Sequence, residues 1–216
     1  MASIFGIRRE EEPGYKVVSK YPEFEVREYA PQIRAEVTMN GSMDSQMGPA
    51  FRALAGYIFG GNEARPAAGS EGAAAAVAQK IAMTAPVGIS SAPAQKIAMT
   101  APVGISQGAS SDAGSAGTTM TFTMPSKFKS IEELPVPKDS RVKLVQVPEH
   151  KLAVIRFSWG FNQARKAEME SKLRAAADRE GLKLSSSPEE VQLMGYDPPW
   201  TLPWCRRNEV AIPVLS

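Results

Sequence analysis

The chain has 216 residues, and its 25 basic and 23 acidic residues leave a net charge of +2 at neutral pH. Because these charges are balanced and well mixed, they create no field that favours nucleic acid or an anionic membrane, and neither is expected as a partner. One cysteine and one histidine exclude an intramolecular disulfide framework and a transition-metal site built from His and Cys ligands of this chain. The length suits a single domain over residues 1–216.

The N-terminal segment resembles neither a signal peptide nor a transit peptide. "MASIFGIRREEEPGYKVV" has no apolar run of signal-peptide length, and residues 10–12 form an acidic cluster. No stretch of the chain approaches the roughly 20 apolar residues that span a bilayer. The sequence therefore predicts a soluble protein of the cytoplasm without a membrane span.

Strand patterns dominate the first forty residues. In "IRAEVTM", residues 33–39, apolar and polar side chains alternate with the period of two that is typical of a sheet with one wet face. The preceding "FEVREY", residues 24–29, is predicted to be its hairpin partner. Ala30-Pro31-Gln32 would form the turn between them.

A helix is predicted next, with Asp44 or Ser45 as its cap and Gly60-Gly61-Asn62 as its end. Pro49 would still lie near the first turn, where a missing N–H costs little. Apolar side chains recur at i, i+4, i+7 and i+11, so that one face of the helix is apolar and is expected to pack on the core. The residues of this face are Met47, Phe51, Leu54 and Ile58.

Residues 63–117 are rich in Ala, Gly, Ser and Pro, and predict a low-complexity insertion with flexible loops. The insertion contains "KIAMTAPVGIS" twice, at residues 80–90 and 96–106. The copies are sixteen residues apart and share strand parity, so either could supply the same apolar face. The first copy lies closer to Asn62, whereas the second leaves a loop of eleven residues, 107–117, before Thr118, so the spacing is divided between the two copies.

We predict that residues 96–106 pair with residues 118–124, and that residues 80–90 lie in an insertion loop or add an edge strand. Pro86 and Pro102 each remove a backbone donor, which favours an edge or bulge position for either copy.

The second half of the chain repeats the order of elements in the first. "TTMTFTMP" alternates strictly, and "RVKLVQVPEHKLAVIRF" predicts two strands around Pro148. A helix is expected from its cap Asn162 to Gly181, followed by strands in "EEVQLMGY" and "RNEVAIPVL". Each half therefore reads strand, strand, helix, strand, strand. Two such ββαββ units predict an α+β fold in which a curved, barrel-like antiparallel sheet carries one helix on each unit.

No catalytic constellation is apparent in the sequence. His150 lies in a predicted turn and is expected to be a solvated surface residue, and no Gly-x-Ser-x-Gly motif precedes a helix. Ten methionines and three tryptophans instead suit an apolar ligand cleft as well as a core. Trp200 and Trp204, which lie among prolines, favour an exposed binding lip.

The order of several motifs resembles the SOUL haem-binding protein family over roughly residues 15–212. These motifs are "YKVVSKYPEFEVREYAP", "FRALAGYIFGGN", "KIAMTAPV", "FTMPSKF", "LPVPKDSRVKL", "AVIRFSWG" and "GYDPPWTLPWCRRNEVAI". The resemblance implies a distorted antiparallel β-barrel with two flanking helices and no enzymatic activity. It also implies that haem or another tetrapyrrole binds in an apolar groove beside the first helix, as in a carrier or buffer.

The resemblance also suggests which residues would hold the ligand. The family's basic haem-contacting positions on the first helix correspond to Gly48 and Gly56 here, with Arg52 one turn away. The groove wall is then assigned to Met47, Phe51, Leu54, Ala55 and Ile58, a propionate contact to Arg52, and the lip to Trp200 and Trp204.

An alternative follows from the absence of a histidine on or near the first helix, since haem iron commonly takes an axial side chain. The chain would then keep the fold without binding haem and serve as an interaction or structural subunit of a larger assembly. The insertion at residues 63–117 would suit contact with a protein partner.

Overall fold

The computed structural model describes residues 11–65, 103–109, 116–197 and 200–215. Two helices pack on one face of a strongly curled nine-stranded antiparallel sheet, which confirms the predicted α+β class and the distorted barrel. The helices of this part of the chain are α1 (Met43–Ile58) and α2 (Gln163–Arg179). Its strands are β1 (Tyr15–Lys20), β2 (Glu25–Tyr29), β3 (Gln32–Asn40), β4 (Asn62–Glu63), β5 (Val103–Ala109), β6 (Ala116–Thr123), β7 (Val136–Pro137), β8 (Val142–Val147), β9 (His150–Phe157), β10 (Gln192–Gly195) and β11 (Asn208–Pro213).

The sheet order is β1-β2-β9-β11-β10-β5-β6-β3-β8, and β4 pairs separately with β7. Apart from β1, the order is symmetric about the β10–β5 pair. The strands β2, β3, β5 and β6 of the first half occupy the same places as β8, β9, β10 and β11 of the second half. The two predicted ββαββ units are therefore present, and they meet where β5 pairs with β10.

The predicted hairpin between residues 24–29 and 33–39 is wrong, because β2 and β3 do not pair with each other. Strand β2 pairs with β9, and β3 pairs with β8. The register continues unchanged from Tyr29 opposite His150 to Gln32 opposite Val147. Ala30-Pro31 therefore marks a corner in one long strand pair that joins the two units, rather than a turn that reverses the chain.

The main core lies between the helices and the sheet. Alternating residues of β3, β5 and β6 point into it, as predicted for residues 33–39 and for the strand with Met120 and Phe122. Helix α1 starts earlier than predicted, at Met43, which leaves Pro49 inside the helix rather than near its first turn. Helix α2 agrees with its prediction: the Asn162 side chain accepts the Arg165 N–H at 2.9 Å, and Gly181 has φ +69°.

Strand β5 contains the end of the second KIAMTAPVGIS copy. Residues 103–106 pair with residues 119–122 of β6, as predicted, while residues 96–102 and the whole first copy lie outside the described residues. The expected edge or bulge position is wrong for residues 103–106, since β5 pairs in regular register with both β6 and β10. The loop expected over 107–117 is also too long, because strand structure continues to Ala109 and resumes at Ala116.

Candidate functional site

A groove of about 370 Å³ runs along one flank of α1. One wall is made of α1 side chains, and the other comes from Gly61 and the segment that leads into β8. Its lining residues are Pro49, Arg52, Ala53, Gly56, Tyr57, Gly61, Lys138, Asp139 and Arg141. This volume lies within the range that small-molecule sites commonly occupy.

The groove has a positive rim over an apolar floor. Arg141 forms an ion pair with Asp139 at 2.6 Å, and that hydrogen bond holds the pKa of the Asp139 carboxyl below its usual range. Arg52 and Lys138 form no ion pair with another described residue. Their charges therefore remain available to an anionic ligand, since guanidinium and ammonium groups bind carboxylates well.

Two glycines shape the end of α1 beside this groove. A Cβ added at Gly56 would meet no atom within 4 Å, so the absence of a side chain there leaves the groove open. Gly61 donates its N–H to the Gly56 carbonyl at 2.7 Å, and a Cβ at Gly61 would lie 2.7 Å from the same oxygen. The chain can return along the helix only because this position is glycine.

Tyr57 closes the floor of the groove and is already fully engaged. Its side chain is buried, and its hydroxyl donates to the Pro135 carbonyl at 3.0 Å. Burial raises the pKa of Tyr57 to about 12. The phenol therefore stays protonated at neutral pH and does not offer a phenolate to a metal.

The structure places only Arg52, among the predicted site residues, in the lining of this groove. Leu54 and Ile58 are buried in the core under α1, so neither side chain is open to the groove. Met47 is half-buried and packs on the same core.

Phe51 is 41% exposed and contacts Phe122 edge-on at 5.5 Å between ring centroids. Successive helical residues are about 100° apart, which places Phe51 and Ala55 on the opposite flank of α1 from Ala53 and Tyr57.

Trp200 and Trp204 are exposed, as predicted, but they lie on a different loop from the described groove. Trp159 is also exposed: its ring centroid is 6.2 Å from that of Trp204, and its backbone N–H donates to the Pro203 carbonyl at 2.9 Å. Trp159 also adopts φ +79°, a conformation rare for a bulky residue. Trp159 and Trp204 thus form an exposed aromatic pair, and the exposed Trp200 precedes Trp204 by four residues; these three tryptophans are called the aromatic lip.

A buried charge network on the opposite face of the sheet escaped the sequence analysis. Arg27 donates to both oxygens of Glu209, at 2.7 and 3.1 Å, and the Arg207 Nε donates to the same carboxylate at 2.8 Å. The Tyr196 hydroxyl donates to Glu209 at 2.7 Å. Burial raises the pKa of Glu209, but these donors and charges outweigh it and hold the pKa below its ordinary value. Arg27 also pairs with Glu25 at 2.5 Å and Arg207 with Glu12 at 3.0 Å, so every charge of the network has a partner and we regard the network as structural.

His150 was expected on the surface, but it is half-buried at the start of β9. Its ring stacks on Tyr29 with centroids 5.5 Å apart, its Nδ1 lies 2.8 Å from the Pro148 carbonyl, and its buried Nε2 has no partner among the described residues. Burial lowers its pKa, the Pro148 carbonyl opposes this effect, and the charge of Arg34 adds to it. The imidazole is therefore neutral at pH 7, with Nδ1 as the donor.

We expect the free energy of unfolding to fall as the pH drops below about 6.5, the ordinary value for histidine in the unfolded chain. The folded pKa of His150 is lower, so the unfolded state binds the proton first. The contribution of neutral His150 to the free energy of unfolding is fully present above pH 6.5. Below that pH it decreases by at most about 1.4 kcal/mol per pH unit until the folded pKa is reached. Urea unfolding between pH 5 and 7.5 measures this slope. The His150→Gln variant should lack it, and an equal slope in both proteins would contradict the prediction.

Within the described ranges, no group of three or more His, Cys, Asp or Glu side chains is placed to hold a metal ion. None of the described helices is long and apolar enough to cross a membrane.

Comparisons with known proteins agree with this architecture. The fold is similar to that of an uncharacterized conserved protein from Listeria innocua, with a TM-score of 0.56 and 14% identity over 95% of this chain and 93% of that one. A hydrolase from Listeria innocua gives a TM-score of 0.52 and 15% identity over the same shares. The EcmrR C-terminal domain gives 0.54 and 10% identity over 94% of this chain and 98% of that domain. At these identities the likeness shows the fold alone.

No curated protein matches the chain by sequence. A family model, that of the SOUL heme-binding protein, matches residues 10–213. This match includes β5, the groove along α1 and the strand β11 that carries Glu209. Because it covers nearly the whole chain, the chain belongs to the SOUL haem-binding protein family.

Proposed function

We propose that this protein binds haem or another tetrapyrrole without a covalent bond, in the groove along α1. The observation that carries the proposal is the positive rim of Arg52, Lys138 and Arg141 over an apolar floor, in a chain of a haem-binding family. A porphyrin combines a flat apolar ring with two carboxylates on one edge. It therefore matches a groove that has apolar contacts on one side and cations on the other.

Arg52 is the main propionate partner in this proposal. Its guanidinium has no ion pair within the described residues, and it can donate two parallel hydrogen bonds to one carboxylate. Lys138 adds a point charge, while Arg141 is partly neutralised by Asp139. Pro49 and Ala53 provide apolar contact for the ring edge.

The described residues offer this groove no strong axial ligand for iron. His150 lies on the face of the sheet away from α1, and the Tyr57 hydroxyl is bound to Pro135. The ring would thus be held by its edge and face, without an iron–protein bond to slow its release. This mode of binding suits a carrier or buffer without enzymatic activity better than a redox enzyme.

Haemin titration followed at the Soret band tests the proposal. The full chain should show saturable binding near one equivalent. Arg52→Glu should weaken it about tenfold or more, because it removes a charge-assisted hydrogen bond and adds repulsion. Gly56→Leu should weaken it as well by filling the open groove, while a leucine in place of glycine favours the helix.

The matched control is Phe51→Asp, which introduces an acid on the opposite flank of the same helix. Binding should survive this change if the groove is the site. If Phe51→Asp abolishes binding while Arg52→Glu does not, the ligand lies on the flank that the sequence analysis favoured. A lack of saturable binding by the unmodified chain would overturn the proposal.

An interaction subunit is the second candidate, and the aromatic lip favours it. Its three side chains are strongly exposed: 57% for Trp159, 62% for Trp200 and 58% for Trp204. Tryptophan is enriched at the centres of protein–protein interfaces, so this exposure favours a protein partner. Size-exclusion chromatography of fresh native extract tests this candidate. Elution as a free species of about the chain mass, 23.2 kDa, would contradict it. A larger species that Trp204→Ala disperses would support it.

A further inference from the structure

A second pocket, of about 240 Å³, lies on the sheet face opposite the helices. It is formed where β3, β5, β6 and β10 meet, and its lining is mostly polar. The side chains that matter are Arg34, Glu36, Thr119, Thr121, Glu189 and Gln192. The pocket shares no lining residue with the groove along α1.

Arg34 brings to this pocket a positive charge that forms no ion pair with a described residue. Its guanidinium donates to the Gln192 side-chain oxygen at 3.5 Å. When the Gln32 amide is oriented with its oxygen toward Arg34, the guanidinium also donates to that oxygen at 2.7 Å. Both partners are neutral, and no carboxylate of the described residues lies within ion-pair distance. Burial lowers the pKa of Arg34, although the group stays charged at neutral pH.

Glu36 brings the opposite charge to the same face. It lies two residues along β3, about 7 Å from Arg34 by strand geometry. Its cross-strand partner is Lys143, yet the two side chains form no ion pair among the described contacts. Burial raises the pKa of Glu36, and the charge of Arg34 partly offsets this. Glu189 adds a second carboxylate to the rim.

The glycine of the second KIAMTAPVGIS copy allows the closest approach of the strands beside this pocket. Gly104 pairs with Thr121, and a Cβ at position 104 would lie only 2.5 Å from the Thr121 Oγ1. A side chain there would displace the Thr121 hydroxyl from its place beside Arg34 and Gln192.

We propose that this pocket binds a small zwitterion that carries one carboxylate and one ammonium group. Arg34 receives the carboxylate, Glu36 and Glu189 receive the ammonium, and Thr119 and Thr121 supply hydroxyl contacts. Two unlike charges that lie on one strand face about 7 Å apart, without an ion pair between them, are complementary to a ligand with both charges. The volume is below that of drug-sized sites, which excludes a macrocycle here.

Titration of the full chain, followed by the backbone amide shifts of Gly104 and Thr121, tests this proposal. The probe is 4-aminobutyrate, with butyrate and butylamine as matched ligands that each lack one charge, at constant ionic strength. We expect saturable shifts with 4-aminobutyrate and at least tenfold weaker binding of either control. Equal binding of butyrate would reduce the site to an anion site, equal binding of butylamine to a cation site, and either result would overturn the proposal. Absence of saturation would do so too.

Variants separate this pocket from general surface charge. Arg34→Gln and Glu36→Gln should each weaken binding at least tenfold, whereas Lys143→Gln, the exposed neighbour of Glu36, should not change it. If Arg34→Gln does not fold, the isosteric Glu36→Gln carries the test. Unchanged binding in Glu36→Gln would overturn the proposal. The test is independent of haem binding, because Arg52→Glu should leave this titration unchanged.

Discussion

Glu209→Gln is expected to lower the free energy of unfolding by about 3–5 kcal/mol, because it leaves the buried cations Arg27 and Arg207 without their shared carboxylate. The Glu209 side chain is fully buried, and Arg27 is 2% exposed, so water cannot replace the lost charge. Glutamine keeps the shape of the side chain, so the variant isolates the charge from the packing. Thermal unfolding should show a decrease in Tm of about 10 °C.

The control for this variant is Glu168→Gln on the exposed face of α2. Glu168 forms ion pairs with Arg165 and Lys172 at 2.6 and 2.8 Å, yet exposed pairs contribute little. The Tm of Glu168→Gln should therefore equal that of the unmodified chain. Similar decreases in Tm in both variants would contradict the structural role of the buried network.

The same network fixes a pH dependence that the variant should lose. The folded pKa of Glu209 is held below its ordinary value, so its stabilisation is fully present above the unfolded pKa of about 4.3. It is lost as the pH falls through the lower folded pKa, since the unfolded state then binds the proton first. Glu209→Gln should therefore show a shallower loss of stability in acid.

Ile105→Ala should destabilise the protein by about 2–5 kcal/mol, the usual cost of truncating a buried isoleucine. Ile105 is 1% exposed, packs in the main core and lies on a strand with partners on both sides. The loss would leave a cavity between the sheet and the helices. Urea unfolding measures the change.

The duplication supplies an unusually close control for Ile105. Ile89 has the same neighbours in sequence but belongs to the first copy, which lies outside the described residues. Ile89→Ala should leave the free energy of unfolding unchanged, and so should removal of residues 78–93, which restores a single copy. Loss of the folded structure after either change would show that both copies are structural.

Local sequence patterns predicted most of the elements, because alternation and helix caps depend on neighbouring residues. The strand with Met120 and Phe122 and the cap Asn162 are examples. Strand partners were harder to predict. The pattern of residues 24–39 is the same whether β2 pairs with β3 or with β9, since the apolar face is buried in both arrangements.

The candidate site was less predictable than the fold. An apolar stripe on a helix marks the face that packs on the core. Leu54 and Ile58, which the sequence analysis assigned to the groove wall, therefore lie in the core. The groove depends on residues far apart in sequence, such as Arg52 and Arg141, and no local pattern links them. A signal for the buried network was present in "VREY" and "RRNEV", where a charge interrupts an apolar strand, but its partners required the sheet register.

The corner at Ala30-Pro31 has a consequence for how the chain reaches its native state. Each half donates its outer strand, β2 or β8, to the sheet of the other half, so neither half can complete its own sheet before the other has been synthesised. Such long-range pairing slows folding, because a large loop must close before the contacts form. Two fragments cut within the connection between β6 and β7, at residues 124–135, should therefore be unfolded alone and regain structure only when mixed.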